Sequence, residues 1–353
     1  MEQRKVPPQW PSKIPTRLAF VGEAPSDREL EELEPLVGPS GKVFNSLLRT
    51  ARIERSDALV TNVFDEKIPD NKIKNWCVPL KEARLERLTD LPPIGQAGFL
   101  RAEYRPSLER LAREIAHAAP TVIVPLGGTA LWAFTGQTNI TQMRGTAFAA
   151  TRVAPGVKLV PTFHPSFVMQ KYTIYSVVAR DLMYAAKEAE QREVIHANRS
   201  LLLEPTMAEL RALKPALCSS PLLSVDIETS HGQITCVGFS WDTEHAVSVP
   251  FFDARQVDHN YWRTPEEEME AWRFVEEVSA SAAPKLGQNF GGYDFMWLLR
   301  KNHLAVRNYA HDTRLMHHAL YPELPKDLGF MGSSYATQGA WKYMGKGEKR
   351  DDT

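Results

Sequence analysis

Short apolar runs alternate with amphipathic stretches in two separate series along the chain. In the first series Leu18-Ala19-Phe20-Val21 leads into Gly22, Ala58-Leu59-Val60 into Thr61-Asn62, and Lys158-Leu159-Val160-Pro161 into Thr162-Phe163-His164, with Thr121-Val122-Ile123-Val124 between. Each run has the length and continuous apolar character of a strand buried on both faces. Helical spacing fills the intervals at 41–51, 108–117, 129–134 and about 173–196. This alternation predicts a mostly parallel α/β sheet covered by helices on both sides. Polar residues close the strands, where open α/β sheets place their ligands.

The second series begins after 197–221, a stretch carrying Pro205, Pro215 and Ser219-Ser220-Pro221 that reads as a linker or boundary. Strands are expected around Asp226-Ile227-Glu228, at 234–239 and at 246–250, joined by turn-rich segments that suit hairpins. A helix follows Thr264-Pro265 over 266–278 and another covers 295–300. Two α/β domains result, 1–196 and 222–353.

Composition changes this picture little. The chain has 353 residues, 43% hydrophobic and 24% charged, enough for two domains that each bury a core. A net charge of −1 does not advertise a nucleic-acid binder, although phosphate binding needs only a local basic surface. The amino-terminal residues run into prolines instead of an apolar segment, and no run is long enough to span a bilayer, so a cytoplasmic setting is expected. Cys77, Cys218 and Cys236 have no zinc or cluster spacing.

Chemistry enters first at Asp226 and Glu228. Two positions apart on a strand, they project from the same face, where like charges repel. A divalent ion, Mg2+ or Mn2+, is the simplest compensation. Asp294, closing Asn289-Phe290-Gly291-Gly292-Tyr293-Asp294, supplies a third carboxylate.

The first series also carries ordered motifs at its strand ends: Gly22-Glu23-Ala24-Pro25, Pro35-Leu36-Val37-Gly38-Pro39-Ser40-Gly41, Thr61-Asn62 and His164-Pro165-Ser166. Together they resemble the uracil-DNA glycosylase superfamily, most closely its family 4, over about residues 15–190. The resemblance implies a three-layer α/β/α domain that flips uracil out of DNA and hydrolyses its N-glycosidic bond. It assigns catalytic roles to Glu23, Asn62 and His164. Gly22, Ala24, Pro25 and Leu36 line the base pocket with Asn62. Gly38, Ser40, Gly41, Pro165, Ser166 and Phe167 meet DNA, and Phe167, Val168 and Met169 form an apolar wedge for the vacated stack. An Asn amide accepts from uracil N3–H and donates to O4, which an apolar wall cannot do. A donor aimed at O2, the role expected of His164, stabilises the charge that develops as the bond breaks.

Three features depart from the family pattern. Ala24, which family 4 shares, replaces a water-orienting aspartate, so catalysis leans on leaving-group stabilisation. Leu36 replaces an aromatic residue that stacks on the flipped base, a change worth ~1–3 kcal/mol. The four cluster cysteines of family 4 are absent, so no iron–sulfur cluster is expected. The resemblance is thus to a cluster-free bacterial or phage branch, in a bacterial or phage-infected cytoplasm.

The second series resembles the DEDD 3′–5′ proofreading exonucleases, in particular the domain that precedes the polymerase in phage-type family A DNA polymerases. Asp226 and Glu228 match the first motif, and Asn289, Tyr293 and Asp294 the second. His311-Asp312-Thr313 and the stretch 320–328 match the segment downstream of the second motif in such polymerases. The resemblance implies a ribonuclease-H-like domain, two metals that activate water, and a polymerase domain or subunit as partner. The family's third motif, expected beyond Trp341-Lys342, has no match, because neither Asp351 nor Asp352 follows a Tyr at the required spacing. Either the chain is a fragment of a longer polypeptide, or an incomplete exonuclease serves as a DNA-binding platform. The non-catalytic alternative for the whole protein is a module that recognises DNA and recruits or restrains a polymerase.

Overall fold

A computed structural model of the chain describes residues 4–195 and 198–336. They form two compact units. The first holds the described residues up to Val194 and the segment that starts at Gly329, and the second is Ile195–Leu328.

In the first unit, five strands lie in the spatial order Leu59–Asn62, Leu18–Gly22, Val122–Pro125, Lys158–Leu159, Phe148–Ala149. The first four run parallel and the last is antiparallel. Every residue of Leu18–Gly22, Leu59–Asn62 and Val122–Pro125 is buried, as continuous apolar runs require. Alternate residues feed opposite layers. Ala19 and Val21 share a core cluster with Leu111 and Ile115 of helix Pro106–Ala118 and Trp132 of helix Gly128–Thr135. Phe20 instead meets Phe44 of helix Gly38–Thr50 edge to face, ring centroids 5.1 Å apart. Helix Gly38–Thr50 in turn contacts helix Tyr175–Glu188, completing an α/β/α sandwich. That last helix is shorter than its sequence pattern, because a separate helix, Pro165–Gln170, and a single 3-10 turn, Tyr172–Ile174, come first.

The second unit has a six-stranded mixed sheet in the order Tyr309–Asp312, Lys285–Gly287, Leu223–Ser230, Gln233–Ser240, His245–Pro250, Ser200–Leu202. Leu223–Ser230, Gln233–Ser240 and His245–Pro250 form an antiparallel meander, and Lys285–Gly287 and Tyr309–Asp312 add in parallel on its other side. Numbered in chain order from Leu223, these five strands stand in the order five, four, one, two, three, the ribonuclease-H-like arrangement. Helix Pro265–Ser279 starts as its sequence dictates, with the Thr264 hydroxyl accepting the Glu267 N–H at 3.2 Å. It buries Ala271, Phe274, Val275 and Val278.

Two segments depart from the expected domain limits. The proline-bearing stretch 197–221 contains the edge strand Ser200–Leu202 and helix Met207–Cys218, both in the second unit. The helix starts on a capping box between Thr206 and Glu209 and buries Leu210 and Leu217, which outweighs the cost of Pro215 in its last turn. Beyond Leu328 the chain rejoins the first unit. There Ser333 and Ser334 accept from Arg144 at 3.0 and 3.3 Å, while Arg144 Nε donates to Asp181 at 2.8 Å. Arg144 is fully buried, so this network supplies the partners its charge needs. Trp341, Lys342, Asp351 and Asp352, where the third exonuclease motif was sought, lie outside the described residues, as do His196 and the charged end 346–353. Among the described residues no helix is long and apolar enough to cross a membrane.

Candidate active site

Gly22 ends the first strand in register with Asn62, which ends its neighbour. A β-carbon on Gly22 would stand 2.2 Å from Asn62 Oδ1 and 3.8 Å from His164 Nε2, so the two side chains converge on the space that glycine leaves free. Asn62 is 5% exposed. Its side-chain amide makes no hydrogen bond among the described residues, which leaves both its donor and its acceptor for a ligand.

His164 lies just past Lys158–Leu159, whose line continues through the parallel bridge of Thr162 to Leu126. It caps helix Pro165–Gln170, its Nδ1 accepting the Ser166 N–H at 3.2 Å and lying 2.8 Å from the Ser166 hydroxyl. A ring nitrogen that accepts a backbone N–H carries no proton, so the proton of the neutral ring sits on Nε2, the nitrogen nearer Gly22. Burial lowers the imidazole pKa to about 4. At neutral pH the site therefore offers an uncharged N–H donor.

Glu23 follows on the same strand end. Its carboxylate accepts the Thr129 hydroxyl, and burial raises its pKa despite that bond. The backbone of Gly22 and Glu23 accepts the N–H groups of Val63 and Phe64 at 2.9 and 3.0 Å, tying the two strand ends together beyond the sheet. Ala24 packs against the core cluster on the side of Val21, and Pro25 is buried.

The loop carrying Leu36 is held by its backbone. Leu36 N–H donates to Glu29 at 2.6 Å, and Arg55 donates to the carbonyls of Pro35 and Leu36 at 2.6 and 3.0 Å. Gly41 lets this turn close, since a β-carbon there would lie 2.2 Å from the Leu36 carbonyl oxygen. Leu36 itself is 2% exposed, so it belongs to the core as well as to the loop. Gly38 and Ser40 lie in the first turn of helix Gly38–Thr50. Beyond His164, Ser166 and Phe167 are exposed and Pro165 is buried. Of the three residues read as a wedge, Phe167 and Met169 are exposed, whereas Val168 is fully buried on the inner face of its short helix.

Sequence reading missed the residues beneath this pocket: Thr129 behind Glu23, Arg55 behind Leu36, and the Arg110–Glu114 pair behind Asn62. One signal was available. Glu114 occupies the apolar stripe of Leu111, Ile115 and Ala118, and a carboxylate there requires a buried partner.

In the second unit Asp226 and Glu228 lie on one face of Leu223–Ser230 as expected, but that face is exposed, while Val225 and Ile227 are buried. Asp294 is buried and accepts the Ile227 N–H at 2.9 Å. Burial, then Asp226 and Glu228, push its pKa up to about 6. Tyr293 and Thr229 share a hydroxyl hydrogen bond of 2.5 Å, and Asn289 Oδ1 accepts from Arg314 at 2.8 Å. Among the described residues no group of three or more His, Cys, Asp or Glu side chains is arranged to hold a metal ion. Asp226 and Glu228 nevertheless lie near enough to Asp294 to act on its charge.

Residues 11–186 match the family model for the uracil DNA glycosylase superfamily. The type-4 uracil-DNA glycosylase of Thermotoga maritima is 30% identical over 159 residues, covering 44% of this chain and 68% of the relative. That of Archaeoglobus fulgidus is 27% identical over 159 residues, with 44% and 67% covered. The chain belongs to the uracil-DNA glycosylase superfamily. Solved structures similar to it include the EXD2 exonuclease domain soaked in Mn and GMP, at 19% identity and TM-score 0.25 over 34% of this chain and 58% of that one. The Aedes aegypti Nibbler EXO domain has 13% identity and TM-score 0.26 over 36% and 62%. The ribonuclease-H-like assignment of the second unit rests on its own strand order.

Proposed function

We propose that the first unit excises uracil from DNA by hydrolysing the N-glycosidic bond. The convergence of Asn62 and His164 over Gly22 is the observation that carries this reading. A flipped uracil placed there has its N3–H accepted and its O4 met by the Asn62 amide, a pairing cytosine reverses. The His164 Nε2–H faces O2. As the bond from C1′ to N1 breaks, the electron pair moves onto the base, and a neutral donor held without solvent rearrangement stabilises it. Water adds to C1′ and leaves an abasic sugar. With Ala24 in place of a carboxylate, the leaving group carries most of the catalysis. Glu23, fixed by Thr129, lines the pocket. Ser166, Phe167 and the turn Gly38–Gly41 provide the approach to DNA.

We read the second unit as derived from a 3′–5′ exonuclease of the type joined to family A polymerases, on the strength of its strand order and the placement of Asp226, Glu228 and Asp294. Its role is read as DNA contact beside a polymerase domain or subunit. A second reading, recognition of DNA without base release, is favoured by one observation: Leu36 is buried where an aromatic stack on the base is expected.

The deciding measurement is release of free uracil from single- and double-stranded uracil-containing oligonucleotides at enzyme excess. Release that falls about 100-fold or more, to a still measurable rate, in Asn62→Ala and in His164→Ala supports excision. Unchanged oligonucleotide with salt-sensitive binding rejects it in favour of the recognition module.

A further inference from the structure

We propose that Arg110 is the positioning residue that aims Asn62, an inference that rests on the uracil reading above. Asn62 is the last residue of its strand, and its amide has no hydrogen bond of its own among the described residues. Its direction is therefore set by the backbone that carries it. Past Asn62 the strand ladder ends, and the N–H groups of Val63 and Phe64 turn to the carbonyls of Gly22 and Glu23. That leaves the carbonyls of Asn62 and Val63 to be satisfied elsewhere.

One nitrogen satisfies both. Arg110 Nη2 donates to the Asn62 carbonyl at 2.6 Å and to the Val63 carbonyl at 3.0 Å. Nη1 of the same guanidinium donates to Glu114 at 2.5 Å and lies 3.4 Å from the Thr61 hydroxyl, which itself donates to the other Glu114 oxygen at 2.8 Å. Asp65 Oδ1 stands 3.7 Å from Nε. A single planar group thus grips the chain from Thr61 to Val63, while its buried Nε makes no hydrogen bond.

Only a guanidinium fits this task. Its fork holds two carbonyls and a carboxylate in one plane, whereas an ammonium presents a point charge on a freely turning stem. The Arg110 and Glu114 side chains are 18% and 9% exposed, so water competes little for either. Their i,i+4 spacing on helix Pro106–Ala118 anchors the fork to the core through Leu111 and Ile115. Loss of the fork leaves the peptide between Asn62 and Val63 held only through its N–H to Gly22, so its carbonyl end can tilt and shift the Asn62 side chain with it. Base reading tolerates little such movement, a misplacement of about 1 Å costing on the order of 100-fold in rate.

The test uses the full chain with Arg110→Lys, which keeps a cation for Glu114 but not the double carbonyl contact. Single-turnover uracil release is expected to fall about 10- to 100-fold while the protein remains folded by thermal denaturation. In an Asn62→Ala background the same substitution should cost nothing further, because the residue through which it acts is gone. In 15N-labelled protein the Asn62 side-chain amide resonances should move or broaden in Arg110→Lys. A wild-type rate with unchanged Asn62 resonances overturns the inference, as does a loss that simply adds to that of Asn62→Ala. If the unsubstituted protein releases no uracil, the excision reading falls on its own, and the Asn62 resonances still decide whether Arg110 sets that amide.

Discussion

Gly22 and Asn62 stand side by side in register at the ends of two parallel strands, and a β-carbon on Gly22 would lie 2.2 Å from Asn62 Oδ1. No side-chain atom fits at that distance, so the asparagine amide occupies the volume that any other residue at position 22 would need. His164 Nε2 borders the same volume at 3.8 Å. One missing methyl thus brings two polar groups, one from a strand end and one from a helix cap, over a common point.

Gly22→Ala tests this geometry directly. The added methyl must displace the Asn62 amide, because the strand backbone is buried on both faces and cannot retreat. Uracil release is expected to fall at least ~100-fold, with a stability loss of about 1–3 kcal/mol from overpacking. A single-turnover assay beside thermal denaturation separates the two effects. An alanine variant with the parent rate would mean that Asn62 does not work from the position described.

The protonation of His164 gives a second expectation. Its pKa is lowered to about 4 by burial, so the ring stays neutral through the range near 6.5 where a free imidazole titrates. The rate of uracil release should show no step between about pH 5 and 7.5 that disappears in His164→Ala. Stability runs with the same sign. The unfolded chain takes up a proton at this site below its unfolded value of 6.5 and the folded chain does not until about 4, so stability falls as pH drops through that window. A His164-dependent step in rate near 6.5 would show a solvated, titrating ring and remove the fixed neutral donor.

Leu36 distinguishes a pocket wall from a core residue. It is 2% exposed, and its peptide is held by Glu29 and Arg55 on both sides. Leu36→Phe should therefore destabilise the protein by about 1–3 kcal/mol without tightening its grip on uracil-containing DNA. Fluorescence anisotropy with a labelled oligonucleotide, alongside melting curves, checks both halves. Tighter binding by the phenylalanine variant at unchanged stability would place residue 36 against the base.

The pocket was more legible in the sequence than its support. Gly22, Asn62 and His164 sit at strand ends, and strand ends are marked by the switch from apolar runs to polar residues. The carboxylate pair Asp226 and Glu228 was equally visible, and its shared face is real. What spacing along one strand does not specify is whether that face is covered, and in the fold it is exposed. Arg55, Arg110 and Thr129 were invisible for a different reason. Each acts on a backbone or side chain 19 to 106 positions away, and such pairings exist only once the helices have packed. The helix hidden in 197–221 shows the converse error, where prolines outweighed the capping box at Thr206 and the apolar pair Leu210 and Leu217.

Asp312 provides a stability test confined to the second unit. Its carboxylate closes strand Tyr309–Asp312 and starts helix Thr313–Leu320, accepting the N–H groups of Asn289, Arg314 and Leu315 at 3.0, 2.9 and 3.3 Å and the Tyr309 hydroxyl at 3.0 Å. Burial by itself would raise its pKa, and these four donors outweigh it, holding the carboxyl below its ordinary 3.8. A carboxylate depressed in the folded state stabilises above its unfolded value, and that stabilisation is lost as pH falls through the folded one. Asp312→Ala removes a helix cap and leaves buried donors unmet, so the second unit should lose about 2–4 kcal/mol near neutral pH. Asp312→Asn, which keeps one acceptor for the cap, should lose less. In denaturant titrations across a pH series, the gap between the parent chain and Asp312→Ala should hold steady down to about pH 5 and narrow below about pH 4. A gap that persists unchanged well below the carboxyl's ordinary value would show that the cap acts without its charge, and a gap near zero at neutral pH would remove Asp312 from the joint between strand and helix altogether.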